Sequence, residues 1–349
     1  MKETKNVPES LILEILTRYG LDAAFSEQTP YIYDTGENGE PLVKVILSVR
    51  LSGGQRVVIK ILHEEGNLLE DRDKIEKQSA FSEQMRRCGI RTPKRYSSDG
   101  HFCTECTAYG LPCNVTVEDW CGEEIREITV DRAYRIGELM AQMHTLSQEH
   151  HCTIGCGTLF SAAEWNDVDA FSSFCKIAQH EQLDQTIVAQ IKQLHDDKLA
   201  ALRAVWKQLP KSAVQGDISI NNLVDGEEGL RVFDYNNAGD EVLISDLVME
   251  GLLTAYEMEL PDGAEESLRE SLFPALLSGY LSVRKLSPEE ADAAWTVYTL
   301  YHGLWFTRVV YQDASLEKRV ERGEFAAANQ LLAQMLADLT EQNDGRFER

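Results

Sequence analysis

The sequence predicts an α+β protein in two lobes, a β-rich first third followed by a mostly helical remainder. Three observations carry this. Val43–Leu51 and residues 56–62 are rich in β-branched side chains and are joined by Ser52-Gly53-Gly54-Gln55, a hairpin signal. Two more strand-like stretches follow, around residues 103–108 and 114–118, with Gly110-Leu111-Pro112 turning between them. From Thr129 onward the chain reads as helix, interrupted by one short hairpin. Strands first and helices after is the α+β pattern. The 349 residues are enough for more than one core. The boundary is expected in the short polar segment Asp119-Trp120-Cys121-Gly122, dividing residues 1–119 from 120–349.

The elements can be justified in order. Over residues 8–20, Leu11, Ile12, Ile15 and Leu16 recur at helical spacing, and Gly20 is a helix stop. Residues 30–62 change to β character. Residues 71–88 form a charged amphipathic helix closed by Gly89. Trp295, Tyr298, Tyr301 and Trp305 lie on one helical face, for which core packing is the default reading; a wall of an acceptor pocket is the other.

Composition narrows the function. A hydrophobic content of 43% and a charged content of 26% are those of a soluble globular protein. The formal net charge of −24 argues against nucleic-acid and anionic-membrane binding, both of which need a basic surface. It favours a cationic partner such as an amine, although acidic surfaces also serve solubility. No apolar run approaches membrane-spanning length and the first residues lack a secretory apolar stretch, so a cytosolic location is expected. The eight cysteines are scattered. Cys103 and Cys106 have a zinc-like spacing with Cys113 nearby, but no second pair is evident, and reduced thiols are expected.

The most informative stretch is Gln215-Gly216-Asp217-Ile218-Ser219-Ile220-Asn221-Asn222, followed by Val232-Phe233-Asp234-Tyr235-Asn236. Residues 222–224 and 230–234 read as two short strands joined by a turn-rich connector, which returns Asp234 to the neighbourhood of Asn222. An Asp in a loop can orient a hydroxyl and take its proton. An Asn and a second Asp at a strand end offer hard oxygens to Mg²⁺. This is the polar kit of phosphoryl transfer. Lys60 closes an apolar strand, Val57-Val58-Ile59-Lys60, so it must face solvent or meet a charged partner; with the downstream carboxylates in place, nucleotide phosphates are the better partner. A carboxylate for Lys60 is expected from the following helix. Glu76 and Glu83 are seven residues apart on one face, and spacing leaves both open.

These motifs resemble the aminoglycoside phosphotransferase and choline kinase family, whose members have a protein-kinase-like fold. The family's H-G-D-x-x-x-x-N loop and following D-F-D or D-F-E strand end are matched here by Gln215-Gly216-Asp217 through Asn222 and by Phe233-Asp234-Tyr235-Asn236. Gln215 replaces the family's His, and Asn236 replaces a frequent second carboxylate. The resemblance implies a β-rich nucleotide-binding lobe, a helical lobe with the catalytic loop and acceptor site, Asp217 as catalytic base, and Asn222 and Asp234 as Mg²⁺ ligands. It favours Glu76, which precedes Gly89-Ile90-Arg91-Thr92-Pro93, as the partner of Lys60. It also implies that the backbone of Val117, Glu118 and Asp119 faces an adenine edge and that Gly36 and Gly39 cover the phosphates. His144 reads as a core histidine, and Asp246 as a helix cap that also braces the catalytic loop. The implied activity is transfer of the γ-phosphate of ATP to a hydroxyl of a small molecule: aminoglycoside-like, amino alcohol, homoserine or sugar. The alternatives are a catalytically weak nucleotide-binding pseudokinase and, fitting less well, a protein kinase.

Overall fold

A computed structural model describes residues 7–35, 42–63, 68–164, 170–218 and 220–348. The chain divides into two compact units, Met1–Glu124 with Asn222–Asn236, and Ile125–Asn221 with Asn237–Arg349.

The first unit opens with helix α1 (Glu9–Arg18), whose Ile12, Ile15 and Leu16 are fully buried, as their spacing predicts. Strands β1 (Phe25–Asp34), β2 (Val43–Leu51), β3 (Arg56–His63), β4 (Thr104–Ala108) and β5 (Leu111–Asp119) form an antiparallel sheet in the order β1-β2-β3-β5-β4. Helix α2 (Leu68–Arg87) connects β3 to the second hairpin. The core joins α1 to one face of the sheet through Val45, Leu47, Ile59, Ile61, Val115 and Val117. Alternation then dictates the opposite face: with Ile59 and Ile61 turned toward α1, Lys60 points the other way. Strand β1 reaches further back than the β character expected from residue 30, starting at Phe25. It is polar, contains Pro30, and has register shifts at residues 25/27 and 30/32. An edge strand tolerates such features.

The first unit ends with the hairpin β7 (Leu223–Gly226) and β8 (Gly229–Val232). It was expected with the helical lobe; it packs instead with the sheet unit. The Val232 N–H donates to the Arg91 carbonyl (2.9 Å), and the Arg231 guanidinium to the Cys121 carbonyl (3.3 Å). Gly122, at φ 133°, lies so close to Val224 that a Cβ there would sit 2.6 Å from its Cγ1. The first segment accordingly runs to Glu124, five residues past the expected boundary.

The second unit holds helices α3 (Val130–Glu149), α4 (Ala170–Ile177), α5 (Gln185–Val205), α6 (Leu243–Tyr256), α7 (Arg269–Val283), α8 (Pro288–Gly303), α9 (Phe306–Val309), α10 (Leu316–Glu321) and α11 (Phe325–Leu339). Between α5 and α6 a two-stranded ribbon pairs β6 (Lys211–Val214) with β9 (Gly239–Val242). Helices α3 and α7 approach at two reciprocal glycines. A Cβ on Gly137 would collide with the Leu276 carbonyl, and one on Gly279 with the Tyr134 carbonyl. Helix α8 starts in a capping box formed by Ser287 and Glu290, with Pro288 in the first turn. The aromatic stripe is expected on one helix, but α8 carries only Trp295, Tyr298 and Tyr301, and Trp305 lies past its end, before α9; Trp295, Tyr298 and Trp305 are buried, and Tyr298 lies against Phe273 and Phe347. No helix among the described residues is long and apolar enough to cross a membrane.

Candidate active site

In the first unit, Lys60 is 4% exposed, and its Nζ lies 3.0 Å from Asp234 Oδ1 and 3.7 Å from Glu118 Oε1. The sheet register explains the second contact. Lys60 is opposite Thr116 and Val58 is opposite Glu118, so Lys60 and Glu118 are diagonal neighbours on one face. The outer oxygen of Glu118 meets Arg95 Nη2 at 3.1 Å, and Arg95 Nη1 donates to Ser79 Oγ of α2 at 3.4 Å. Asp234, Lys60, Glu118 and Arg95 thus form a chain of alternating charges, which is how buried charges are tolerated.

This arrangement corrects the expected helix partner. Glu76 accepts hydrogen bonds from the backbone N–H groups of Phe102 (3.0 Å) and Cys103 (2.7 Å). Glu83 accepts from the Arg95 N–H (2.8 Å) and pairs with Arg86. The structure brings neither to Lys60. Helix α2 sends Gln78 toward the site instead, its amide donating to the Asn236 carbonyl at 2.6 Å.

Asp234 directly follows β8 and Phe233, and it adopts a left-handed backbone at φ 54°. Such a conformation is uncommon outside glycine and marks positions where a side chain is aimed at the expense of strain. The Asn236 N–H donates to its Oδ1 at 3.3 Å. Burial by itself would raise the Asp234 carboxyl. The charge and hydrogen bond of Lys60, with help from Arg95, outweigh it and hold the group below the usual carboxylate range. Asn222 stands at the other strand's start, and its carbonyl accepts from the Phe233 N–H at 2.9 Å. The hairpin therefore returns Asp234 to the residue pair next to Asn222. This backbone pairing brings the two residues to one end of the hairpin, and a carboxylate and an amide are oxygen donors of the kind Mg²⁺ takes, completing its shell with water and phosphate oxygens.

The expected adenine edge is closed over part of its length. The N–H of Tyr96 donates to the Val117 carbonyl (2.9 Å), and the Asp119 N–H donates to the Lys94 carbonyl (2.9 Å). The Trp120 N–H is bonded to the Arg56 carbonyl at 3.0 Å. The Asp119 carboxylate accepts from the Tyr96 hydroxyl (2.7 Å). Val117, Glu118 and Asp119 are thus strand residues with internal partners, and Glu118 contributes its side chain. Gly36 and Gly39 lie outside the described residues.

The loop carrying Asp217 belongs to the second unit. Gln215 is buried, and its side-chain oxygen accepts from the Asp217 N–H at 2.9 Å, so the amide does orient the loop. Gly216 has φ 74°, and a Cβ there would lie 2.6 Å from the Asn237 carbonyl oxygen. Asn237 in turn donates through Nδ2 to Asp217 Oδ2 at 2.9 Å, holding the carboxylate in one rotamer. Below the loop, buried His144 bonds Asp246 through Nε2 (2.9 Å) and the Tyr280 hydroxyl through Nδ1 (2.8 Å). Asp246 is not a helix cap: α6 starts at Leu243, after Val242, without a side-chain cap. Glu250, one turn further on, is 1% exposed. Burial, followed by the charges of Asp246 and Asp217, pushes its carboxyl well above the usual range.

Several of these residues were missed from sequence. The Glu118 side chain was hidden because an edge-strand role draws attention to backbone. Asn237 simply follows the D-Y-N run. Glu250 did carry a signal, a lone acid inside the apolar run Leu247-Val248-Met249-Glu250-Gly251-Leu252.

No protein-family model matches the sequence, and no curated protein matches it. Solved structures do resemble it. An amicoumacin kinase in complex with AMP-PNP, Ca²⁺ and Ami superposes with a TM-score of 0.59 at 13% identity, covering 95% of each chain. A microcompartment-associated aminopropanol kinase gives 0.59 at 15% identity, covering 98% of this chain and 99% of that one. An aminoglycoside phosphotransferase from Alicyclobacillus acidocaldarius gives 0.57 at 11% identity, covering 97% and 98%. In fold, this chain is an α+β protein similar to these three solved kinase and phosphotransferase structures.

Proposed function

We propose that the chain is an ATP-dependent phosphotransferase that moves the γ-phosphate to a hydroxyl of a small molecule of the aminoglycoside, amino alcohol, homoserine or sugar class. The observation that carries this reading is the 3.0 Å contact of Lys60 with Asp234, which puts a cation beside the carboxylate expected to hold the metal. The fold's occurrence in a kinase bound to AMP-PNP and Ca²⁺ supports nucleotide and divalent-metal use. Asn222 and Asp234 would hold Mg²⁺, which when bound neutralises phosphate charge and orients the nucleotide. Lys60, fixed by Glu118 rather than by Glu76, would steady the phosphates. Asp217, held by Asn237, would orient the acceptor hydroxyl and take its proton. The acceptor oxygen then bonds to the γ-phosphorus as the bond to the bridging oxygen breaks and ADP leaves.

The test is an ADP-release screen across aminoglycosides, amino alcohols, homoserine and sugars, with and without Mg²⁺. Acceptor-dependent ADP release that is lost in Asp217→Asn supports the reading. Mg²⁺-dependent ATP binding without turnover on any acceptor would favour the pseudokinase, and no ATP binding would sink both.

A further inference from the structure

One cavity of about 870 Å³ lies wholly within the first unit, among the β2–β3 turn, the segment after α2, the end of β5 and the β7–β8 hairpin. Its charge is anomalous. Of the chain's 349 residues 34 are basic against 58 acidic, yet six of the sixteen residues lining this cavity are basic and two acidic. The six are Arg50, Arg56, Arg86, Arg91, Lys94 and Arg231. Four of them have carboxylate neighbours: Arg86 with Glu83 at 3.0 Å, Arg50 with Glu27 at 3.2 Å, and Arg56 with Glu123 and Arg231 with Glu228, each at 3.9 Å. For Arg91 and Lys94 no carboxylate lies within salt-bridge reach among the described residues. Both are exposed at the cavity wall. In a protein this acidic, a cavity lined by six basic residues against two acidic ones is a local surface of opposite charge.

We propose that this cavity binds a phosphate-bearing small molecule. The volume is that of small-molecule pockets, and its concavity suits a compact ligand. Guanidinium forks match phosphate oxygens two at a time, which an arginine-rich wall exploits better than a lysine-rich one. Arg56 stacks 4.4 Å from the Trp120 ring centroid, and Arg231 is tied to the Cys121 carbonyl, so two of the cations are held in place before any ligand arrives. Lys60 does not line the cavity, although Arg50 and Arg56 share its face of the sheet, four residues along the strands.

Isothermal titration of the full chain with inorganic pyrophosphate, in EDTA at low salt, tests this directly. Metal-free conditions weaken phosphate binding at the candidate active site. Saturable one-to-one binding is expected, falling at least tenfold in the double variant Arg91→Glu/Lys94→Glu, retained in Lys60→Met, and weakening as salt rises. Thermal melts of the double variant should match wild type, since both positions are exposed. A second titration with glycerol 3-phosphate asks whether an organic phosphate is taken as well; binding lost in the same double variant supports the same site. Absence of binding for both ligands overturns the proposal, as does loss in Lys60→Met with retention in the double variant. Neither result bears on phosphotransfer, which is read separately by ADP release.

Discussion

The charges at Lys60 are decided by one register. A lysine inside an apolar strand needs a counter-charge, and the sheet supplies it from the neighbouring strand as Glu118 rather than from the helix. Two substitutions separate the possibilities. Glu118→Ala would leave Lys60 and Arg95 short of a buried partner, which costs about 3–5 kcal/mol by the usual reckoning for broken buried pairs. Glu76→Ala would leave two backbone N–H groups without their acceptor, costing about 1–3 kcal/mol. Urea denaturation should therefore show the larger loss for Glu118→Ala. Under the proposed function, ADP release should also fall for Glu118→Ala and stay close to wild type for Glu76→Ala once stability is allowed for. The reverse order would reinstate Glu76. Asp217→Asn should lower turnover by about 10²–10⁴-fold while ATP affinity is kept. Turnover near wild type would remove Asp217 from its role. Asp217, Asn222, Asp234 and Lys60 were legible because each is a polar residue at a marked place, a loop or a strand end. Glu118 was not, since nothing local distinguishes a strand glutamate facing solvent from one facing a buried lysine.

Among the elements, helices and hairpins whose apolar pattern matches one period were readable to within a few residues. Helix α1, the β2–β3 hairpin, and β4 with β5 fall where their patterns put them. The start of strand β1, residues 25–29, was not anticipated, because Pro30 and a polar run mask an edge strand whose pairing is supplied by β2. The β7–β8 hairpin was legible as a hairpin, but its packing partner depends on Arg91 and Cys121, more than a hundred residues away in sequence. The contact of α3 with α7 is another feature set by distant chain. Gly137 and Gly279 each face a carbonyl of the opposite helix, and backbone cannot shift as a flexible side chain can. Gly279→Ala should therefore cost more than the about 1–3 kcal/mol of ordinary overpacking, although alanine is the better helix former. A chemical-denaturation midpoint equal to or above wild type would contradict this close approach.

For the whole molecule, the balance of buried carboxyls sets how stability depends on pH. Glu241, at the ribbon strand β9, has its carboxyl raised from an ordinary 4.5 to about 7, chiefly by burial, against hydrogen bonds from the Val242 N–H and the Ser161 hydroxyl. Glu250 shifts in the same direction. Below about pH 4.5 both folded and unfolded chains hold these protons, and the groups favour neither state. As pH rises, the unfolded chain releases the protons while the folded chain keeps them, so stability falls through the window up to about 7 for Glu241. Asp234 has the opposite sign: its depressed carboxyl adds stability above its ordinary 3.8 and loses it only in stronger acid. The two effects occupy different windows, which makes the first separable. Glu241→Gln removes the titration while keeping an acceptor for the Val242 N–H. Its stability curve should be flatter than wild type between pH 4.5 and 7, with a relative gain on the order of 3 kcal/mol by pH 7.5. Urea denaturation of both proteins at pH 4.5, 6 and 7.5 measures the difference. Parallel curves would mean that Glu241 ionises in the folded protein as readily as in the unfolded one.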